Sequence, residues 1–132
     1  MPVAPAPLRL DSSQAEAWRR WLSEPEPADE AVSLHCLGSS YDLARAEVRC
    51  ITAVPVRRAR LLTSQALVLP LTPGESPLPL LGRLIDLVRG RPLVGYYLDY
   101  AASLIDRALQ PVLGQGLPNR RIEVSSLYYD RT

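Results

Sequence analysis

Apolar and polar positions along the chain fall into two periods. Ala15, Trp18, Trp21 and Leu22 recur at helical spacing within Gln14 to Leu22, after helix-capping candidates Asp11, Ser12 and Ser13. Ala31 to Leu37 is a short apolar segment that reads as a strand. Glu47 to Val56, rich in β-branched residues, reads as a second, with a turn at Asp42 to Ala46 between them. A polar turn, Arg57-Arg58-Ala59-Arg60, leads to a third strand over Leu61 to Leu71. Pro73, Gly74 and Pro77 break the chain. Leu80, Leu81, Leu84, Ile85 and Val88 then mark an amphipathic helix over Leu78 to Val88, with Gly90 as its stop. Pro92 to Tyr97 is wholly apolar and suits a strand buried on both faces. Ala102, Leu104, Ile105, Ala108 and Leu109 predict a helix over Asp99 to Leu109. Arg121 to Val124 reads as a fifth strand, and Ser125 to Asp130 as the start of a further helix.

Three strands, helix, strand, helix, strand: this order implies an antiparallel meander joined to parallel strands through crossover connections. The expectation is an α/β fold, a mixed five-stranded sheet with flanking helices, of the ribonuclease H-like kind. Residues 1–30 divide into a proline-rich leader, the tryptophan-bearing helix and an acidic linker with two Glu-Pro steps. Residues 31–132 form the main domain.

Composition changes this picture little. A chain of 132 residues with 22% charged residues suffices for one folded domain, and a net charge of +1 advertises no nucleic acid or membrane. All 15 basic residues are arginines. So uniform a bias discounts arginine as a phosphate signal. Arg57, Arg58 and Arg60 cluster in a turn and Arg120 and Arg121 precede the fifth strand. These are weak nucleic-acid-binding candidates, more simply read as a solvated surface. Cys36 and Cys50 lack metal-ligand spacing and read as small buried hydrophobes, although a bridge between them stays open. No secretory leader or membrane span is evident, so a cytoplasmic location is expected.

The segment from Gly90 to Asp130, with its LVGYYLDY and LPNRRIEVSSLYYD runs, resembles bacterial 3′–5′ exonucleases of the DEDD superfamily, those similar to the epsilon subunit of DNA polymerase III. A weaker likeness aligns Val32 to Asp42 with the family's first acidic motif and Ile51 to Leu71 with the hairpin after it. The resemblance implies a ribonuclease H-like fold. It also implies a site in which two Mg²⁺ or Mn²⁺ ions about 4 Å apart, held by four carboxylates, cleave phosphodiesters.

On this chain the first acid of that motif falls on His35, the second on Leu37 and the third on Ala101, and the fourth has no counterpart. The family's longer insertion is reduced to Leu71-to-Pro77. The resemblance therefore implies a degenerate exonuclease without a metal site or cofactor, serving as a non-catalytic binding or regulatory protein. The alternative is an active Mg²⁺- or Mn²⁺-dependent exonuclease using the rearranged acids Asp42, Asp99 and Glu123. Asp99 lies two residues before Ala101, a rotation of roughly 200° on a helix, and suits the first helical turn better than a metal shell. Tyr96-Tyr97 and Tyr128-Tyr129 are candidates for base stacking, with packing the stronger expectation. Lacking the family's last helices, the sheet is expected to leave an apolar face, with Leu127, Tyr128 and Tyr129, for a partner. That partner is the N-terminal helix folding back or, as the prediction, a second copy in a homodimer.

Overall fold

The structure, a computed structural model, describes residues 10–125. Helix α1 spans Ser12–Leu22 and opens on Asp11, which accepts from the Gln14 N–H at 2.8 Å while Gln14 returns a bond to the Asp11 backbone. This reciprocal box satisfies two of the orphan donors at a helix start. Strand β1, Glu30–Gly38, pairs antiparallel with β2, Val48–Arg57. After β3, Arg60–Leu61, and β4, Leu67–Pro70, come α2, Leu78–Val88, and β5, Leu93–Gly95. Helix α3, Leu98–Leu113, and β6, Arg121–Glu123, complete the described fold. The sheet runs β3-β2-β1-β5-β6, with β4 also on β2, and β1, β5 and β6 are mutually parallel. The architecture is α/β with a mixed sheet.

One expected strand is two. The third strand breaks after Leu61 into a 3-10 turn, Thr63–Gln65, before pairing resumes at Leu67. Pro55 is the cause. Its carbonyl accepts from the Leu62 N–H at 2.8 Å, so its ring nitrogen faces the same neighbour and has no hydrogen to offer. The ladder therefore fails there, between the pairs Val56–Leu61 and Ala53–Leu67. The tight turn into β3 puts Arg58 and Ala59 at φ of 53° and 63°, the twist a two-residue hairpin needs.

Other boundaries moved for local reasons. Helix α3 begins at Leu98 and runs four residues past Leu109, taking Pro111 into its last turn, until Gly114, at φ 70°, closes it. Strand β5 stops at Gly95, and Tyr96 and Tyr97 lie outside it. Gly90 is not the helix stop. Arg89 turns the chain at φ 38°, and Gly90 is needed because the Glu24 carbonyl lies where any side chain would go. The helix expected from Ser125 falls almost wholly outside the described residues.

Alternation along β1 sets the layers. Val32, Leu34 and Cys36 are buried beneath the helices together with Ile51, Ala53, Leu69 and Leu93, and α1, α2 and α3 all contribute to that core. Trp18 seats α1 over Gly82 of α2, where a methyl group would stand 3.1 Å from the indole. Thus the N-terminal helix does fold back, but onto the helical layer. Trp21, half-buried, lies under the Arg89 guanidinium at 4.7 Å. Among the described residues no helix covers the opposite face of the sheet. There Ser33, Val54 and Val94 meet by register and are half-buried, while Leu37 and Val68 are largely exposed. Cys50, opposite Leu37, belongs to this open face and Cys36 to the core, so the two free thiols point apart and form no bridge. Burial pushes the Cys36 thiol up to about 12, with Cys50 adding to the shift. No described helix is long and apolar enough to cross a membrane.

Trp18→Ala removes the largest side chain between α1 and α2. It should lower unfolding free energy by about 3–5 kcal/mol, read as a reduced denaturation midpoint with little change in slope.

Candidate functional site

Parallel strands that leave a sheet in different directions open a crevice beyond their carboxyl ends. Here β1 continues toward β2 and β5 continues into α3, although the two strands are neighbours. A cleft of about 790 Å³ opens at that point, lined by His35, Leu37, the Gly38-to-Tyr41 loop, Tyr96, Tyr97, Tyr100 and Ala101. The three positions aligned with lost acids, His35, Leu37 and Ala101, thus share one cavity. They give it an exposed imidazole, a 57% exposed isobutyl group and a buried methyl group.

The walls are held by contacts from the chain around them. The Tyr100 hydroxyl donates to the Ser40 carbonyl at 2.5 Å, tying α3 to the loop after β1. A side chain at Gly38 would push the Tyr100 hydroxyl off Ser40 and crowd Leu104. The loop itself is braced by Asp42, which accepts from the Ala44 N–H at 3.1 Å, and by Arg107, which donates to the Leu43 and Ala46 carbonyls. Tyr97 adopts φ 52° and ψ 42°, a left-handed conformation uncommon for a bulky residue. Strain of this kind persists only where neighbours enforce it. The enforcing group is Glu123 on β6, whose carboxylate accepts from the N–H of Tyr97 at 3.0 Å and of Leu98 at 2.7 Å. Glu123 therefore caps the start of α3 from a neighbouring strand. Burial opposes its ionisation, but bonds from the Leu98 N–H, from Ser125 and from the Tyr97 N–H outweigh it and hold the carboxyl below its ordinary range.

The fallback acids do not converge. Asp42 closes its own loop and faces Arg45 at 3.8 Å, Asp99 is a solvent-facing first-turn acid 3.4 Å from Arg121, and Glu123 caps α3. Among the described residues no three His, Cys, Asp or Glu side chains gather as a metal site would require. A pair of hard divalent ions needs several carboxylate oxygens at one point, and the donor set of this cleft does not fit them.

The candidate arginines lie elsewhere. Arg57, Arg58 and Arg60 sit beside the start of β1, and Arg120 and Arg121 lead into β6, at the end of the sheet opposite the cleft. Most are matched by acids: Arg57 to Glu30 at 3.5 Å, Arg120 to Glu26 at 3.0 Å, and Arg121 to Asp106 at 2.9 Å. The Glu26 carboxyl is held below its ordinary range by its hydrogen bond to Arg120. Arg58 and Arg60 are exposed.

The tyrosines depart from expectation. Tyr96 and Tyr97 do not pack into the layer as their place in an apolar run predicts; they are 57% and 76% exposed at the mouth of the cleft. The strand ends two residues before Tyr97, at Gly95, which turns both rings out of the layer. Tyr41 and Tyr100 went unremarked in the sequence; their rings meet at 6.2 Å between centroids, tilted by 52°. A signal was present, since tyrosine recurs at 96, 97 and 100, but only the fold brings 41 beside them. Tyr128 and Tyr129, with Leu127, lie outside the described residues. The class so defined is a two-layer α/β domain, over its described residues, with a tyrosine-rich cleft at the switch between parallel strands. Comparison with family models and with curated proteins finds no match to this chain.

A carboxylate whose folded pKa lies below its unfolded value stabilises the fold above the unfolded pKa and loses that contribution as pH falls through the folded one. Glu123→Gln should therefore be less stable than the parent at neutral pH. The gap should close on acidification through the carboxyl's folded pKa, in parallel denaturation series across pH.

Proposed function

We propose that this chain is a non-catalytic binding protein built on a ribonuclease H-like scaffold related to DEDD-superfamily 3′–5′ exonucleases. One observation carries the reading. The cleft where such an enzyme needs converging acids is instead lined by His35, Leu37, Ala101 and four tyrosines. The sheet order, with an antiparallel meander on one side of β1 and parallel strands on the other, is the order such a scaffold requires. The separate duties of Asp42, Asp99 and Glu123 weigh against the rearranged-acid enzyme. A protein partner fits better than nucleic acid, since the arginines stand away from the cleft and are mostly neutralised by acids.

The partner for the open sheet face is a second copy of the chain. A solvated antiparallel sheet alternates apolar-in with polar-out, but here Val54, Val68 and Val94, away from the cleft, point outward. Among the described residues no Asp, Glu, Lys or Arg of the strands interrupts that group, and the polar side chains sharing its face are Ser33, His35 and Thr52. Two such faces packed together remove them from water.

Purified protein with Mg²⁺ or Mn²⁺ should leave 3′-labelled single-stranded DNA and short RNA intact. Trimming that disappears in Asp99→Ala would overturn the non-catalytic reading. Sedimentation velocity at micromolar concentration should give a dimer that Val68→Glu dissociates; a parent that runs as a monomer counts against the second copy.

A further inference from the structure

The cleft offers a ligand aromatic faces, hydroxyls and an imidazole, and almost no charge. Of the described side chains that line it none is Asp, Glu, Lys or Arg. A phosphate-bearing ligand would meet no cation there, and an acidic or basic peptide would meet no counter-charge. Charge complementarity points to an uncharged occupant.

Shape narrows the class. Strand β1 runs on to Gly38 beyond its last pair with β5, Ser33–Val94, so the edge it leaves in the cleft is only a few residues long and the tyrosine rings make up most of the remaining wall. What it presents is tilted rings with exposed edges: Tyr41, 97% exposed against Tyr100, then Tyr96 and Tyr97 in succession. Proline-rich segments in the extended left-handed helix dock on grooves of this make. Their rings lie flat on aromatic faces, their carbonyls accept from hydroxyl or ring N–H donors, and little chain entropy is lost on binding. The enforced backbone at Tyr97 keeps the platform in place before the ligand arrives, which lowers the ordering cost.

We infer that the cleft formed by His35, Leu37, Tyr41, Tyr96, Tyr97 and Tyr100 binds an uncharged proline-rich peptide segment of a partner protein. The inference rests on the reading that this cleft binds rather than cleaves. A ligand of suitable chemistry is at hand in the chain's own leader, Pro2-Val3-Ala4-Pro5-Ala6-Pro7, whose sequence supplies the probe.

The experiment titrates the ¹⁵N-labelled full chain with the acetylated, amidated peptide PVAPAPL and follows backbone amides by NMR. It uses both the natural chain and P2A/P5A/P7A, so that occupancy by the chain's own leader cannot hide the site. Saturable shifts confined to residues around His35, Tyr41 and Tyr97 are expected in at least one of the two. The same peptide with alanine at its proline positions should bind about ten-fold more weakly or worse, as should Y96A and Y96A/Y97A. Y96A alone leaves the strained backbone at 97 untouched, so a fold change in the double variant does not void the test.

No saturable shift in either chain at about 1 mM peptide, the weak end of specific affinity, overturns the inference. Equal response to the alanine peptide also overturns it, as do cleft shifts from a six-residue oligothymidylate in place of the peptide. Loss of peptide binding leaves the non-catalytic reading standing, whereas metal-dependent trimming of DNA removes that reading whatever the peptide does.

Discussion

Parallel pairing of β1 with β5 is the constraint on which the remaining structure depends. Two chain segments sixty residues apart can lie side by side in the same direction only if the intervening chain crosses from one end of the sheet to the other. Helix α2 makes that crossing, and its apolar stripe becomes the floor on which α1 rests. The same pairing brings both carboxyl ends to one edge of the molecule, where the next connections diverge. The cleft is a product of topology before it is a product of side chains. Its chemistry is then set by whatever residues the sequence places at those two strand ends.

Those residues are held as firmly as a catalytic set would be. Glu123 fixes the start of α3, Tyr100 ties that helix to the loop after β1, and Arg107 fastens the far side of the same loop. Together they pin three separate segments around a cavity that contains no strong acid or base among its described lining. Rigid framing around neutral, ring-bearing walls is the feature on which the proposed binding role rests.

Much of the layout was legible from residue period alone. The strands around Val32 and Ile51, the stripe of Leu81, Leu84, Ile85 and Val88, and the capped helix bearing Trp18 each announce themselves by spacing. They are long or strongly patterned, and their burial agrees with their propensity. The misses have local causes of a different kind. Pro55 splits a strand that lies elsewhere in the sequence, an effect visible only once its neighbour is known. Arg89 and Tyr97 take positive φ values that their side chains do not advertise, and at Tyr97 the carboxylate of Glu123, far away in sequence, holds the backbone there. Glu123 looked like a fallback acid on its strand. Its role as a cap on α3 depends on a pairing between β5 and β6 that spacing does not reveal. Tyr41 joined the cleft for the same reason: a loop residue acquires its neighbours only in three dimensions.

The interrupted ladder at Pro55 has a bearing beyond the fold. A sheet margin is a standing invitation to foreign strands, because its outer row of amides and carbonyls is unpaired. On the β2 side that margin consists of a two-residue piece and a four-residue piece separated by a helical turn, and the second piece ends in Pro70. On the other side it is a three-residue strand that begins with an arginine and ends with a glutamate. Among the described residues neither rim offers a continuous template for amyloid-like stacking. A chain with so apolar an open face can therefore make contact through that face while its edges stay closed to polymerisation.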